Sequence, residues 1–240
     1  MSENNVPCCF LSRTHRYIFE CLLNNKERSQ ALCGHLFAMP QTAHLGANFI
    51  ASKRENYVHV PYQAQYFTLG DEQKVFVNLN EIFANLMKSI EENQCDFLQD
   101  VEPAPGFTLS PIIGPQDCKI EFMSKKHNQA SILLIQPLFN ADPLGRGFFP
   151  HEIHPWTLDF LIDVMSHQQS GHKGVILFMG LNTSISTMHP AAHIDTEYVR
   201  LLDEAKKSGV KIASAQVSCD ESDKPQLNFN QIFDFHQQSL

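Results

Sequence analysis

The sequence predicts an α/β fold, and the segment from Gly171 to Ser218 carries the clearest evidence for it. An unbroken apolar run, Val175 to Met179, lies between glycines and is typical of a strand buried on both faces. A helix capped by Asp195 follows, with apolar residues at the i, i+3, i+4, i+7 spacing of one helix face: Tyr198, Leu201, Leu202 and Ala205. A second strand, Val210 to Val217, begins after Gly209, which stands where a helix takes its left-handed C′ residue. These elements predict a βαβ unit with parallel pairing, which identifies an α/β domain but no activity.

The first 70 residues contain several short segments with strand character. Turn signals such as Asn24-Asn25 and Arg54-Glu55-Asn56 separate them. Short strands with frequent turns are typical of a small barrel or a sandwich. The predicted strands are 10–23, 29–36, 48–52 and 57–61.

Between this region and the βαβ unit, the sequence predicts a strand at 74–78, two helices and a β-hairpin. The first helix spans about 80–93, and its apolar face consists of Leu79, Phe83, Leu86, Met87 and Ile90. The second runs from Pro155, a residue favoured at the first helical position, to about His167, with an apolar face of Leu158, Leu161, Ile162 and Met165. The hairpin strands are 119–123 and 131–138, joined by a polar turn. The tail after Asp220 is predicted to be frayed, with one docked segment.

Composition restricts the class of protein. The chain has 240 residues, 43% of them hydrophobic, enough for one large domain or two small ones. No apolar run approaches the roughly 20 residues that span a bilayer, and the polar N-terminus lacks the features of a secretory signal. The seven cysteines are scattered, odd in number and without a CxxC pair, which favours reduced thiols over a disulfide or zinc framework. We therefore expect a cytoplasmic protein without membrane contact.

The charge is acidic and unevenly distributed. The net charge is −8 with neutral histidines, whereas proteins that bind the phosphates of nucleic acids usually have at least one basic domain. Residues 1–70 hold six Lys/Arg and four Asp/Glu, residues 71–102 hold two and eight, and residues 103–240 hold ten and fourteen. Only the first segment has a net positive charge, and any basic face belongs there.

Motifs in the last third resemble the sugar fermentation stimulation protein A (SfsA) family. They are Gly147-Phe148-Phe149-Pro150, Pro190 with His193-Ile194-Asp195, the helix 198–205 and Gly209-Val210. The match extends with lower quality back to about Leu11. The resemblance implies an N-terminal OB-type barrel, residues 1–75, and a nuclease-like domain of the PD-(D/E)xK type, residues 76–240, with a mixed sheet flanked by helices. It also implies DNA as a partner.

The nuclease motif itself is degenerate. In the family, an Asp on the first hairpin strand and Glu-x-Lys on the second would hold a divalent metal against the scissile phosphate. The Asp position is Glu121 here, and the Glu-x-Lys positions fall on Ile135-Gln136-Pro137. Further positions that are polar or charged in the family fall on Ser110, Ile112 and the segment 154–160. We expect a catalytically inactive nuclease-like domain without metal or cofactor, in which Glu121 is vestigial; an active site rebuilt elsewhere is the alternative.

A second motif lies in the N-terminal region. The family's Arg-x-x-Arg-aromatic run is kept as Arg13-Thr14-His15-Arg16-Tyr17. Two arginines beside an aromatic ring suit a surface that binds phosphate and stacks bases, so Arg13, Arg16 and Tyr17 are the candidate nucleic-acid-binding residues. On a regular strand Arg13 and His15 share one face and Arg16 lies on the other. The alternative is that these arginines are simply solvated.

Histidines and Cys33 allow a functional and a structural interpretation. His151 with His154, and His189 with His193, form two pairs that we place in loops, without a neighbouring Cys or Glu to complete a zinc site. Incidental histidines are the favoured interpretation. Cys33 is retained from a family run and is expected to have a structural role.

These observations predict a non-catalytic nucleic-acid-binding or regulatory protein of the SfsA family, with weak, non-specific binding to DNA. Two alternatives remain: a divergent metal-dependent nuclease, and a protein-interaction scaffold without nucleic-acid binding, which the acidic net charge favours. The partner, the pathway and the oligomeric state do not follow from the sequence.

Overall fold

The structure is a computed structural model of the chain. It describes residues 5–15, 17–24, 26–33, 44–70, 73–105, 119–126, 129–150, 153, 155–229 and 232–233. Arg16, Ser110, Ile112, Cys118, His151 and His154 lie outside the described residues. The prediction that concerns each of them is not addressed by the structure.

Six strands build the N-terminal barrel. Their order in the sheet is β3-β2-β1-β4-β5-β6, and a parallel contact between β3 and β5 closes it. The strands are β1 (Asn5–His15), β2 (Ile18–Leu23), β3 (Glu27–Leu32), β4 (Asn48–Lys53), β5 (Tyr62–Leu69) and β6 (Gln73–Phe76). Strands β1 to β5, closed by the β3–β5 contact, have the arrangement of an OB-type barrel, and β6 continues the same sheet beyond β5. The predicted domain boundary at residue 75 falls within β6, and the division of the chain stays a prediction.

Two predicted barrel strands were wrong. The segment 10–23 is not one strand: β1 and β2 form a hairpin that turns at about Tyr17, and their register shifts between Arg13 and His15. The segment 57–61 is a loop, because Asn56 has a positive φ of 64° and the Arg54 N–H donates to the Pro61 carbonyl (2.7 Å). The turn at Asn56 therefore prevents the apolar residues of this segment from forming a strand, and β5 begins only at Tyr62.

The second domain has a mixed six-stranded sheet in the order β14-β13-β11-β9-β8-β7. Its strands are β7 (Val101–Pro103), β8 (Lys119–Ser124), β9 (Ala130–Leu138), β11 (Lys173–Gly180), β13 (Lys211–Cys219) and β14 (Pro225–Asn228). Three helices flank it: α1 (Leu79–Glu91), α2 (Pro155–Gln169) and α3 (Thr196–Lys207). An OB-type barrel followed by a mixed sheet with flanking helices confirms the predicted fold class.

The βαβ prediction is confirmed in detail. Strands β11 and β13 pair in parallel through Val175–Lys211 and the following residues. Asp195 caps α3 by accepting the Tyr198 N–H (3.0 Å). Gly209 takes a φ of 96° directly after the helix, where a residue with a side chain would be strained. Local signals for caps and buried strands were sufficient here.

A small parallel sheet was not predicted. It contains β10 (Arg146–Phe149), β12 (Thr187–Pro190) and β15 (Ile232–Phe233). His189 therefore lies on a strand, which corrects its predicted place in a loop. In the described part of the tail, strands β14 and β15 correct the frayed end predicted after Asp220, whereas 230–231 and 234–240 lie outside the described residues.

Two hydrophobic cores pack on opposite faces of the second sheet. One runs without interruption from the barrel through α1 to β9, β11 and β13. The other lies between the sheet and the helices α2 and α3. The predicted apolar face of α1 is buried throughout, whereas Ile162 on α2 is 50% exposed and was wrongly placed on a buried face. Gly174 allows α2 to approach β11 closely, because a Cβ there would lie 2.8 Å from Val164 Cγ1.

No helix in the described ranges combines the length and apolarity needed to cross a bilayer. Six of the seven cysteines are described, and all six are free thiols. Burial raises the pKa of the Cys95 thiol to about 12, so that this side chain is held as an unreactive thiol at neutral pH.

Candidate nucleic-acid interface

The β1–β2 loop carries the residues predicted to bind nucleic acid. Arg13 and His15 are exposed, and Tyr17 is half-buried with its ring 6.4 Å from the His15 ring. The register shift between Arg13 and His15 breaks the simple alternation expected of a strand. Arg13 consequently projects into solvent although its pairing partner, Phe19, is in the barrel core.

The β4–β5 loop adds a cation–aromatic pair that the sequence analysis missed. The Arg54 guanidinium lies 3.6 Å from the centre of the Tyr57 ring, and its Nη1 donates to the Val60 carbonyl (3.2 Å). Tyr57 is nevertheless 56% exposed, so much of its surface faces solvent. An arginine and a tyrosine three residues apart beside a turn signal are the pattern that could have revealed it. The assignment of this segment to a strand hid that pattern.

Both loops end beside the last residues of β3. The Tyr17 carbonyl accepts the Cys33 N–H (2.8 Å), and Tyr62, which follows the β4–β5 loop, pairs with Ala31. In OB-type barrels, these two loops flank the face that binds oligonucleotides. Cys33 itself is fully buried, as its predicted structural role requires. The fold therefore places the Arg13–Tyr17 and Arg54–Tyr57 groups in the positions used by that class of barrel.

The barrel cations differ from the others in their partners. Among the described residues, every ion pair uses a cation from Lys74 onwards. The described barrel cations outside ion pairs are Arg13, Lys26, Arg28, Lys53 and Arg54. An unpaired cation on the surface is available to a phosphate without first breaking a bond to a carboxylate. Glu20 lies on the outer surface of β2 and accepts from Ser12 Oγ (3.1 Å), which adds one negative charge to this face.

The β8–β9 hairpin is the place of the predicted vestigial nuclease site. Glu121 is exposed and pairs with Ile132, which belongs to the core beneath α2 and α3. Ile135 belongs to the opposite core, next to the barrel, and Pro137 shares its side by strand alternation. The structure therefore does not bring Glu121 together with positions 135 and 137. This corrects the assumption that they form one site.

The side chains that share the face of Glu121 do not fit a divalent cation. Mg²⁺ and Ca²⁺ need several oxygen ligands, whereas the facing residues on β9 are Ile132, Leu134 and Gln136. The nearby Asp163 of α2 is held by Lys119, whose Nζ lies 2.5 Å from its carboxylate. Within the described part of the chain, no group of three or more His, Cys, Asp and Glu side chains could hold a metal ion.

One predicted histidine pair meets at an aromatic ring. Phe148 lies between His189 and His193, with ring-centre distances of 5.6 and 5.5 Å. His189 Nε2 is within hydrogen-bond distance of Thr187 Oγ1 (3.0 Å). These contacts give both imidazoles a place in the packing of the small sheet.

Comparison with known proteins identifies the relatives of this chain. A family model described as the sugar fermentation stimulation protein RE domain, SfsA, matches residues 157–223. The sugar fermentation stimulation protein homolog of Psychromonas ingrahamii is 26% identical over 88% of this chain and 94% of its own length. The Aeromonas hydrophila homolog is 25% identical over 84% of this chain and 83% of its own. These matches show that the chain is similar to proteins of the SfsA family over most of its length. A solved structure of Pyrococcus furiosus SfsA in complex with Ca²⁺ shares the fold, with a TM-score of 0.78, 14% identity and coverage of 98% of this chain and 97% of that one.

Proposed function

We propose that this SfsA-like protein binds single-stranded DNA on the barrel and does not cut it. The observation that carries the proposal is the pair of loops beside β3, where Arg13, Tyr17, Arg54 and Tyr57 combine unpaired cations with exposed aromatic surface. Cations attract the phosphates, and aromatic rings stack on bases of any sequence. Binding through these groups is non-specific.

The binding is weak. Few cations contribute to the interface, Glu20 lies beside them, and the chain carries a net charge of −8. Each phosphate contact depends on the release of counterions, so affinity falls steeply as salt is added. A role in regulation, rather than permanent packaging of DNA, follows from such affinity.

The lack of cleavage rests on the β8–β9 hairpin. The relative from Pyrococcus furiosus was solved with Ca²⁺. In this chain, Glu121 faces Ile132 and Leu134 instead of a second carboxylate, and Asp163 is held by Lys119. A cation that bound here would lack the ligands needed to orient water and phosphate.

Fluorescence anisotropy with labelled single- and double-stranded oligonucleotides, at low and moderate salt with Mg²⁺ or Mn²⁺, tests this function. We expect salt-sensitive binding with intact DNA, and a loss of about 5- to 10-fold in affinity for Arg13→Ala and for Arg54→Ala. Arg200→Ala is the matched control, because Arg200 is ion-paired with Glu197 and Glu204 on α3. Metal-dependent cuts that disappear in Glu121→Ala would instead establish a divergent nuclease.

A protein-interaction scaffold is the second candidate. Residues 71–240 carry twelve Lys/Arg and twenty-two Asp/Glu, an acidic surface that repels DNA and suits a basic partner. Absence of binding to either oligonucleotide at low salt would favour this candidate. The cytoplasmic location stays a prediction from the sequence.

A further inference from the structure

A polar cleft of about 370 Å³ lies between the barrel and the second domain. One wall comes from the end of β4, the middle of β5 and the end of β6, the start of α1 closes one side, and the β13–β14 turn forms the opposite wall. The volume is at the lower end of the roughly 300–1,000 Å³ typical of small-molecule sites, so it suits one compact ligand. Most of the lining side chains are polar, so the cleft does not suit an apolar ligand.

Hydrogen bonds hold the barrel side of the cleft in place. Asn78, the N-cap of α1, donates from Nδ2 to Gln65 Oε1 (2.7 Å). Gln65 in turn donates from Nε2 to Ser52 Oγ (2.6 Å). This chain of side chains links the helix to two barrel strands, so the polar atoms of the wall are preorganised.

The β13–β14 turn is equally fixed. Asp220 Oδ1 accepts the N–H groups of Ser222 (2.8 Å) and Lys224 (2.9 Å). Asp223 is held at a φ of 63°, and its carboxylate is in contact with Lys74 through one oxygen and with Tyr66 through the other. These two groups neutralise each other, so neither contributes net charge to a ligand.

Three charged groups remain in the lining. Lys53 and Lys224 are exposed and form no ion pair with a described residue, and Glu81 lies in the first turn of α1. Burial raises the pKa of the Glu81 carboxyl, although Lys224 opposes this effect. Two cations and one carboxylate, together with amides, match a ligand that carries both an anionic group and hydrogen-bond donors.

We propose that this cleft binds a nucleotide unit, with its phosphate at Lys53 and Lys224 and its hydrogen-bond donors at Glu81 and Asn78. The inference deepens the proposed function and rests on it, because Lys53 immediately precedes the β4–β5 loop that carries Arg54 and Tyr57. One source of such a unit is a DNA strand bound at that loop. The same chemistry is offered by a free nucleotide, and the experiment separates these two sources.

Isothermal titration of the full chain with AMP and with inorganic phosphate tests the cleft without DNA. Lys224→Ala should weaken both ligands by about fivefold or more, since it removes one phosphate contact. Glu81→Gln should weaken AMP but not inorganic phosphate, because only AMP offers this carboxylate a hydrogen-bond donor outside the phosphate group. Lys125→Ala is the control, since this exposed lysine lies in the β8–β9 hairpin, outside the cleft.

An oligo(dT) arm, measured by anisotropy with the same variants, identifies the source of the ligand. Loss of oligo(dT) affinity in Lys224→Ala but not in Lys125→Ala supports a DNA backbone in the cleft. If AMP binds and oligo(dT) does not, the cleft takes a free nucleotide and the DNA proposal fails. If oligo(dT) binding depends on Arg54 while AMP does not bind and Lys224→Ala equals Lys125→Ala, the cleft inference is wrong and the DNA proposal stands.

Discussion

The barrel and the second domain differ in how many of their cationic side chains form ion pairs with carboxylates. In the second domain, cations such as Arg200 and Lys207 are neutralised by carboxylates one helical turn away. Among the described barrel cations only Lys74, on β6, forms an ion pair, and its partner Asp223 belongs to the second domain. Exposed ion pairs contribute little to stability, so their distribution is better understood through function. The comparison shows that described cations without a carboxylate partner are more frequent on the barrel than in the rest of this acidic protein.

The two regions also differ in their buried polar atoms. Three buried side-chain atoms have no hydrogen-bond partner among the described residues, namely His172 Nδ1, Asp195 Oδ2 and the Tyr198 hydroxyl. All three belong to the second domain. The barrel core is instead built from aromatic rings, with Phe19 in contact with Phe10, Phe49 and Phe67. Substitutions in the two regions should therefore have effects of different size and sign.

The largest effect is expected from Phe19→Ala. It removes a fully buried ring from the barrel core and should lower the free energy of unfolding by about 3–5 kcal/mol. Because that core continues to β9 and β11, we expect the whole chain to unfold in one transition. Urea unfolding followed by circular dichroism and by the fluorescence of Trp156, the only tryptophan, checks this. If the urea midpoint measured by Trp156 fluorescence is the same in Phe19→Ala as in the original protein, the two regions unfold independently. Leu45→Ala, at a 76% exposed side chain, is the control.

Tyr57→Ala should have the next largest effect, on binding rather than on stability. Loss of one stacking ring is expected to weaken single-stranded DNA binding by about 1–2 kcal/mol, roughly 5- to 30-fold. Tyr57→Phe keeps the ring and should bind like the original protein. Anisotropy titrations at one salt concentration compare the three. Equal affinities of the original protein, Tyr57→Ala and Tyr57→Phe would show that the β4–β5 loop does not contact the DNA.

The sequence was sufficient where short-range signals decide the structure. The α3 cap at Asp195, the turn at Gly209 and the apolar face of α1 depend on residues within a few positions of each other. Pairing between distant segments was not predictable in this way. The small sheet joins β10 to β12, which are separated in the chain by residues 150–186.

The candidate site was only partly predictable for the same reason. Arg13 and Tyr17 belong to one local motif and were predicted from it, whereas Tyr57 was assigned to a strand. Glu121 and Ile135 were assigned to one site because the sequence predicts the hairpin but not the register in which β8 pairs with β9. Since neighbouring strand residues face opposite sides, a register error of one residue changes the face of every side chain.

A smaller effect of opposite sign is expected in the second domain. The Tyr198 hydroxyl is fully buried without a partner among the described residues, and burial raises its pKa well above the usual value. Tyr198→Phe removes the buried hydroxyl and keeps the ring contact with Phe149, so stability should increase by about 1 kcal/mol. Urea unfolding at neutral pH measures the change. A loss of similar size would mean that the hydroxyl has a partner in the segments outside the described ranges.

The smallest effect concerns the contact between the two regions at Lys74 and Asp223. The hydrogen bond from Lys74 lowers the pKa of the Asp223 carboxyl below its unfolded value. The contact therefore stabilises the fold above the unfolded pKa, and this stabilisation disappears as the pH falls through the folded pKa. With side chains 17% and 36% exposed, Asp223→Asn should cost less than about 1 kcal/mol at pH 7 and nothing once the pH is below that folded pKa. Urea unfolding from pH 7 down to pH 2 follows this change.

Asp203→Asn, which breaks an exposed pair within α3, is the matched control and should cost still less. A cost for Asp223→Asn that is unchanged at the lowest pH would show that the contact acts through packing instead of charge.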